Sequence, residues 1–526
     1  MRVHVEGGAE PPEGLVEAVR AYEAALVADD LEALAEAFER GPDTLRVDRS
    51  GLLSGHDRIT GFRARRGGAG AREVLELRIH LAGADAAHVV SVNKPTSGGR
   101  GVVTQLWRRS SDGVWRIAAA LVAAPAPVLD PRIWRVAGNP LVAGASQGAL
   151  AGETVAVKDL FAIAGQRIGV GVKTYLAEAP VETVTAPAVQ ALLDAGASVT
   201  GIAQTDQFAY SIAGLNPDYG TPPNPAVPGA IPGGSSSGPA SAVALGHASI
   251  GLGTDTAGSI RIPASYQGLW GLRPTHGAVS LDGVAPLAPR YDTVGWLTRD
   301  GETMRRVAKV GLAGEPQVRA DSSLLAAPAV MMACTAGVRA SFDAVLARLA
   351  VAQMRVAPVD VPPLDQLFTA FRVTQSAQAW ASDGEWVESH PGALAPDIQA
   401  RFDFARSVTA SQEEDALADA GILAAELDLA LGNAVLVIPS ASSSAPSLGA
   451  HESELEERRR ATLSITAIAG LTGRPALSVP LLDTFAGPVG VCLVGPRGSD
   501  LDLIEKGLAL EAVLRNPGET SLGHTV

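Results

Sequence analysis

Cysteine is almost missing from this chain of 526 residues: Cys334 and Cys492 stand far apart, and neither a CxxC nor an HExxH pattern occurs. The ligand spacings typical of zinc sites are therefore absent, and no metal or other cofactor is expected. Positive charge is short, with 42 Lys and Arg against 56 Asp and Glu and a net charge of −14. That balance offers no electrostatic footprint for nucleic acid or an anionic membrane, and it favours a small-molecule partner. No apolar stretch reaches the length of a membrane span without a charge, Gly or Pro breaking it. The amino-terminal MRVHVEGGAEPPEG lacks the apolar core of a signal peptide, so residence in the cytoplasm is expected. What remains, at 47 % hydrophobic and 4 % aromatic, is the composition of a well-packed soluble protein long enough for two domains.

Lysine is scarce too, with 5 among the 42 basic residues. One of them, Lys158, directly follows the apolar, strand-like start of TVAVKDL. Arginine could not act there as a base, because guanidinium keeps its proton in proteins. A lysine can, once burial among Val155, Val157, Leu160 and Phe161 disfavours its charged form. Two loops of small residues accompany it: PGGSSSGPASAVA around Ser235 and GLGTDTAGSIRIPAS around Ser259, with the two serines 24 residues apart. A serine hydroxyl is a poor nucleophile until a base takes its proton, so a neutral lysine and two hydroxyls form a relay that needs no histidine. Singly, each segment also reads as a flexible turn or as a strand end meeting water. Rival motifs occupy the same stretch. Gly234 to Gly238 fits the G-x-S-x-G elbow with Ser236 as nucleophile, but the proline-broken VPGAIPGG precedes it where the elbow needs a strand. Gly253 to Ser259 has the spacing of a phosphate loop without its lysine.

Together these segments resemble the amidase signature enzymes, whose members carry a lysine after a strand, a GGSS[GS]G loop and a D-[TI]-[GA]-G-S loop. The resemblance covers nearly all of residues 130–515 and is strongest over 200–300. It implies that Ser259 attacks an amide carbonyl, that Ser235, set after a cis Gly234–Ser235 bond, passes the proton, and that Lys158 receives it. The backbone N–H groups of Thr256, Ala257, Gly258 and Ser259 would form an oxyanion hole, where one donor is worth roughly 3 kcal/mol of barrier. Ala257 stands where most members have glycine; allophanate hydrolase relatives also have alanine. The departure would matter if the backbone there needed a positive φ. Asp255 and Arg261 flank the loop and are expected to pair as a buried brace.

Residues 1–127 read as a separate unit ending in the linker-like AAPAPVLDP, followed by a catalytic domain over 128–515 and a tail over 516–526. From Pro12 to Phe38 the apolar residues Leu15, Val19, Tyr22, Leu26, Leu31, Leu34 and Phe38 recur at helical spacing. EVLELRIHLAG, AAHVVSVNKP, GVVTQLWRRSS and GVWRIAAALVAA then alternate like strands. This unit resembles the AtzH-like, cystatin-shaped α+β cones, which implies a pocket faced by Tyr22 and Arg46 and pairing of two copies through their sheets into a homodimer. By spacing alone Tyr22 is equally a core residue. Arg63, Arg65 and Arg66 could join Arg46 in holding a carboxylate, or form a solvated face. Beyond 150, short strand-like runs such as VTGIAQTD, AVLVIPSAS and RPALSVPLL alternate with helical ones such as APAVQALLDAGAS. The expected fold is α/β: an amidase signature doubly wound mixed sheet flanked by helices, preceded by the smaller α+β cone.

FAYSIAGLNPDYGTPPNP and GLWGLRPTHGAVSLDGVAPLAPRYDTVGWLTRD are similar to the indole-acetamide hydrolases. In this family variable segments, here 365–410 and 440–460, form the substrate pocket. Tyr210, Phe368, Phe371 and Trp380 are the candidate substrate-binding residues, and an apolar or aryl acyl group would bury well against them. The expected activity is hydrolysis of a small carboxamide to carboxylic acid and ammonia through an acyl-enzyme. An alternative is a biuret- or carboxyurea-type amidohydrolase acting with the AtzH-like unit; an alternative of another class is a non-catalytic amidase-like docking protein.

Overall fold

A computed structural model describes residues 2–6, 10–48, 51–64, 72–95, 101–123 and 130–515. The chain divides into two compact units, Met1–Asp130 and Pro131–Val526. The expected boundary at 127, the tail 516–526, and Arg65 and Arg66 lie outside the described residues.

In the first unit the described residues form a seven-stranded sheet. Its order is Arg2–Val5, Arg72–Gly83, Ala86–Pro95, Gly101–Arg109, Trp115–Ala123, Leu45–Asp48 and Gly51–Ser54. The four long strands are the four alternating runs of the sequence, paired antiparallel in succession. The helical run from Pro12 breaks in two, Leu15–Ala28 and Leu31–Glu36. Asp29 turns left-handed at φ 55°, and the Asp30 carboxylate accepts the N–H of Ala33, so two adjacent aspartates end one helix and cap the next. Leu15, Val19, Tyr22, Leu26, Leu34 and Phe38 are buried as their spacing predicts. Leu31, the first residue after the cap, is 44 % exposed.

Tyr22 is a core residue: its ring meets Phe38 and Trp107 edge-on, at centroid distances of 6.0 and 6.3 Å. Its hydroxyl accepts from Arg63 Nη2 at 3.0 Å. Arg46 is buried with its guanidinium 4.6 Å from the Phe62 ring centre. Glu23 takes a two-pronged pair from Arg72 at 2.8 and 3.0 Å.

In the second unit the described residues form an eleven-stranded mixed sheet. From one edge the order is Val356–Pro358, Leu324–Ala326, Val435–Pro439, Gly487–Val494, Ala476–Thr484, Trp270–Arg273, Val294–Thr298, Ile250–Thr254, Thr154–Lys158, Ser198–Ala203 and Trp134–Val142. Thr154–Lys158 runs parallel to both of its neighbours, Ile250–Thr254 and Ser198–Ala203. These strands are buried on both faces, which is why they read as continuous apolar runs rather than alternating ones. Helices flank the sheet, and Leu364–Ser389, Pro396–Ser407, Ala410–Leu431 and Glu452–Thr472 pack on one another as a helical layer. Among the described residues no helix is long and apolar enough to cross a membrane.

Close strand approach depends on glycine. A Cβ at Gly295 would overlap the Leu272 carbonyl oxygen of the neighbouring strand. Gly295→Ala is therefore expected to cost roughly 1–3 kcal/mol, read as a lower urea midpoint at an unchanged denaturant slope.

Candidate active site

Lys158 and Thr254 end two parallel neighbouring strands, so both side chains arrive at the carboxyl edge of the sheet, where open α/β folds place their ligands. Lys158 is wholly buried and donates to Ser235 Oγ at 2.8 Å and Thr254 Oγ1 at 2.7 Å. Ser235 Oγ in turn donates to Ser259 Oγ at 3.1 Å. Burial disfavours the ammonium strongly enough to bring Lys158 down to about 7, although Asp206, Asp292 and Asp255 oppose the shift. That value lies in the range where a histidine ordinarily titrates, although the relay contains no histidine.

The serine loop owes its path to missing side chains. The Gly234–Ser235 bond is cis. A Cβ at Gly234 would press on the Asp206 carboxylate and the Gly214 N–H, and one at Gly238 on the Gln204 backbone. Asp206 ties the loop down, accepting from the Gly214 N–H at 2.9 Å and from Ser237 Oγ at 3.3 Å. Thr205 Oγ1 donates to the Ser235 carbonyl at 2.9 Å. Ser236, the rival nucleophile, donates its hydroxyl to the Thr254 carbonyl at 3.2 Å and stands at the start of a helix with no strand before it.

Asp255 organises the second loop. Arg261 approaches it through Nε at 3.0 Å and Nη2 at 2.8 Å, the pairing expected from the sequence. Burial alone would raise the Asp255 carboxyl, but Arg261 and Arg273 hold it well below the usual carboxylate range. Arg273 was not signalled by any motif; it enters from the strand Trp270–Arg273, one strand beyond the neighbour Val294–Thr298, and reaches both the Asp255 carbonyl and its carboxylate. Of the four N–H groups expected to face an oxyanion, that of Gly258 instead donates to Asp255 Oδ1 at 2.8 Å. The short side chain of the loop's own aspartate reaches it first. The N–H groups of Thr256, Ala257 and Ser259 have no such acceptor among the described residues. Ala257 avoids positive φ, so alanine is accommodated, whereas Gly258 adopts φ 118° with Ile262 where a Cβ would be. Thr256 Oγ1 donates to Asp292 Oδ1 at 2.5 Å, and Asp292 also accepts the N–H groups of Leu287 and Ala288.

A small recess beside Ser259 is walled by Tyr210, Ile212, Thr256, Ala257, Gln375 and Arg459 among others. It shares Tyr210, Ile212, Gln375 and Arg459 with a larger cavity of about 530 Å³. Tyr210 Oη hydrogen-bonds Ser376 at 2.8 Å there. Phe368, Phe371 and Trp380 are not among the walls of either space. Phe371 packs on Tyr291 at 4.6 Å, Phe368 is buried, and Trp380 packs against the core. The cavity is instead built from Gln375 and Arg372 on the helix Leu364–Ser389, Arg401 and Phe404 on Pro396–Ser407, and Arg459 on Glu452–Thr472. Among the described residues no cluster of His, Cys, Asp and Glu is arranged to hold a metal.

The Amidase family model matches residues 136–332, the span that holds Lys158, Ser235 and Ser259, and the AtzH-like family model matches residues 13–126. Amidase 1 of Oryza sativa subsp. japonica is 34 % identical over 397 residues, covering 68 % of this chain and 90 % of that protein. A solved structure reported as "Crystal structure of amidase" has a TM-score of 0.65 at 32 % identity and covers 70 % of this chain and 86 % of its own. Another, reported under "An unexpected vestigial protein complex reveals the evolutionary origins of an s-triazine catabolic enzyme", has a TM-score of 0.63 at 25 % identity and covers 71 % and 85 %. The chain is thus a member of the amidase signature family of hydrolases, carrying an AtzH-like domain ahead of its amidase domain.

Proposed function

We propose that this protein hydrolyses a small carboxamide to a carboxylic acid and ammonia, with Ser259 as nucleophile, Ser235 as proton relay and Lys158 as base. The reading is carried by one observation, the unbroken chain from Lys158 Nζ through Ser235 Oγ to Ser259 Oγ. In the neutral form Lys158 accepts the Ser235 proton as Ser235 takes that of Ser259, and the freed oxygen adds to the amide carbonyl. The oxyanion forms beside the N–H groups of Thr256, Ala257 and Ser259. Returning the proton along the same path lets the C–N bond break with ammonia leaving. Water then enters by the reverse route, releasing the acid and restoring the serine. No cofactor is called for.

A second reading has a specific observation behind it. The AtzH-like match and the likeness to a chain from an s-triazine catabolic complex favour a biuret- or carboxyurea-type amide, with the first unit taking part. In either version we place the protein in the cytoplasm and assign the AtzH-like sheet to pairing of two copies. A docking protein without activity would have no use for the buried lysine and the paired serines.

Ser259→Ala is expected to lower kcat by several orders of magnitude in an ammonia-release assay across simple amides, with the melting temperature retained. Equal turnover by wild type and variant would remove the enzyme reading. For Lys158, the neutral form is the active one, and its fraction grows as pH rises through about 7. The rate of acylation should therefore climb about tenfold per pH unit below that point and level off above it. The same step surviving in Lys158→Ala would assign the titration to another group.

A further inference from the structure

The cavity that continues from Ser259 is charged in a way its setting does not explain. The chain as a whole carries −14, yet this one space brings together Arg372, Arg401, Arg458 and Arg459 against Asp397, Glu452 and Glu456. Ile212, Leu215 and Ile231 give the same cavity an apolar lining.

The four arginines are not equally occupied. Arg401 donates to the Tyr210 carbonyl at 2.7 Å and pairs with Asp397 at 3.2 Å, which commits it to structure. Arg458 lies 4.0 Å from Glu457. Arg459 gives Nη1 to Glu456 at 3.1 Å, while its Nε is buried with no hydrogen-bond partner among the described residues. Arg372 lies with its guanidinium 3.8 Å from the Phe404 ring centre and forms no ion pair among the described residues. Burial, and then the like charge of Arg459, holds Arg401 at about 10 and pulls Arg372 below the usual guanidinium range. Guanidinium groups crowded in this way are stabilised when an anion lies between them. Two guanidiniums close enough to repel, one of them stacked on a ring, suit the planar, two-oxygen geometry of a carboxylate.

We propose that the substrate is the monoamide of a dicarboxylic acid, with its amide carbonyl at Ser259, its hydrocarbon spacer along Ile212, Leu215 and Ile231, and its free carboxylate held by Arg459 and Arg372. The proposal rests on Ser259 as the nucleophile. Because Arg459 walls both the recess at Ser259 and the larger cavity, the spacer is short. Water cleaves the amide, the added oxygen stays with the new carboxylate, and a dicarboxylate and ammonia leave.

The test compares succinamic, glutaramic and adipamic acids with butanamide, pentanamide and hexanamide, pair by pair, as ratios of kcat/KM from ammonia release. Wild type is expected to favour at least one acid over its neutral partner by about tenfold or more, the scale of one charge-assisted contact. Arg459→Gln and Arg372→Gln should each bring that ratio down toward one, by up to about tenfold. Should Arg459→Gln not fold, Arg372→Gln, which breaks no ion pair among the described residues, carries the comparison alone. Neutral amides turned over as well as the acids, or a ratio untouched by both substitutions, would overturn the carboxylate site and leave the amidase reading standing. Ammonia from neither series also overturns it. A phosphonyl probe then separates the two failures, since labelling of Ser259 keeps the nucleophile and its absence removes both readings.

Discussion

The site depends on keeping one amine dry. Lys158 sits at the end of a strand buried on both faces, and the cost of holding an ammonium there outweighs the pull of three nearby carboxylates. Those carboxylates are themselves engaged. Asp206 holds the serine loop, Asp255 holds two arginines, and Asp292 holds Thr256 and two backbone N–H groups. Because each acid is satisfied by a neighbour, none forms an ion pair with the lysine, and two hydroxyls take its hydrogen bonds.

The second constraint is space. Gly234, Gly238 and Gly258 each stand where a Cβ would meet backbone, a carboxylate or a packed side chain. The glycine- and serine-rich composition of both loops, which read singly as flexible turns, is thus a requirement of close packing. These loops are among the most buried parts of the chain, with Ser235, Ser236, Asp255 and Ser259 all enclosed.

Much of this was readable beforehand, for a definite reason. A lysine buried at a strand end, serines in tight loops and strands buried on both faces each restrict residue type locally, and local restriction leaves a trace in sequence. The helix break at Asp29 and Asp30 also left one, a pair of aspartates whose capping chemistry outweighs the apolar spacing on either side. The cavity left a trace of its place but not of its chemistry. Most of its walls come from the two segments expected, 365–410 and 440–460, yet Arg459 lies in EERRRA, a run indistinguishable from a solvated helix face. The aromatic richness of 365–410 misled for a related reason. Aromatic content reports that a helix is buried, but not which side faces a ligand, and Phe368 and Phe371 turned inward to the protein.

The Asp255 brace reaches further than its own loop. Arg261 donates to the Thr466 carbonyl at 3.2 Å, and Thr466 Oγ1 returns a bond to the Ala257 carbonyl at 2.7 Å, so the helix Glu452–Thr472 is latched to the loop that bears Ser259. That same helix carries Arg459 into the cavity. The Ser259 loop and the Arg459 side chain are therefore tied through one helix, and the distance between them is a property of the folded scaffold. If Ser259 and Arg459 grip the two ends of one ligand, as proposed, that fixed spacing gauges its length before any bond is made.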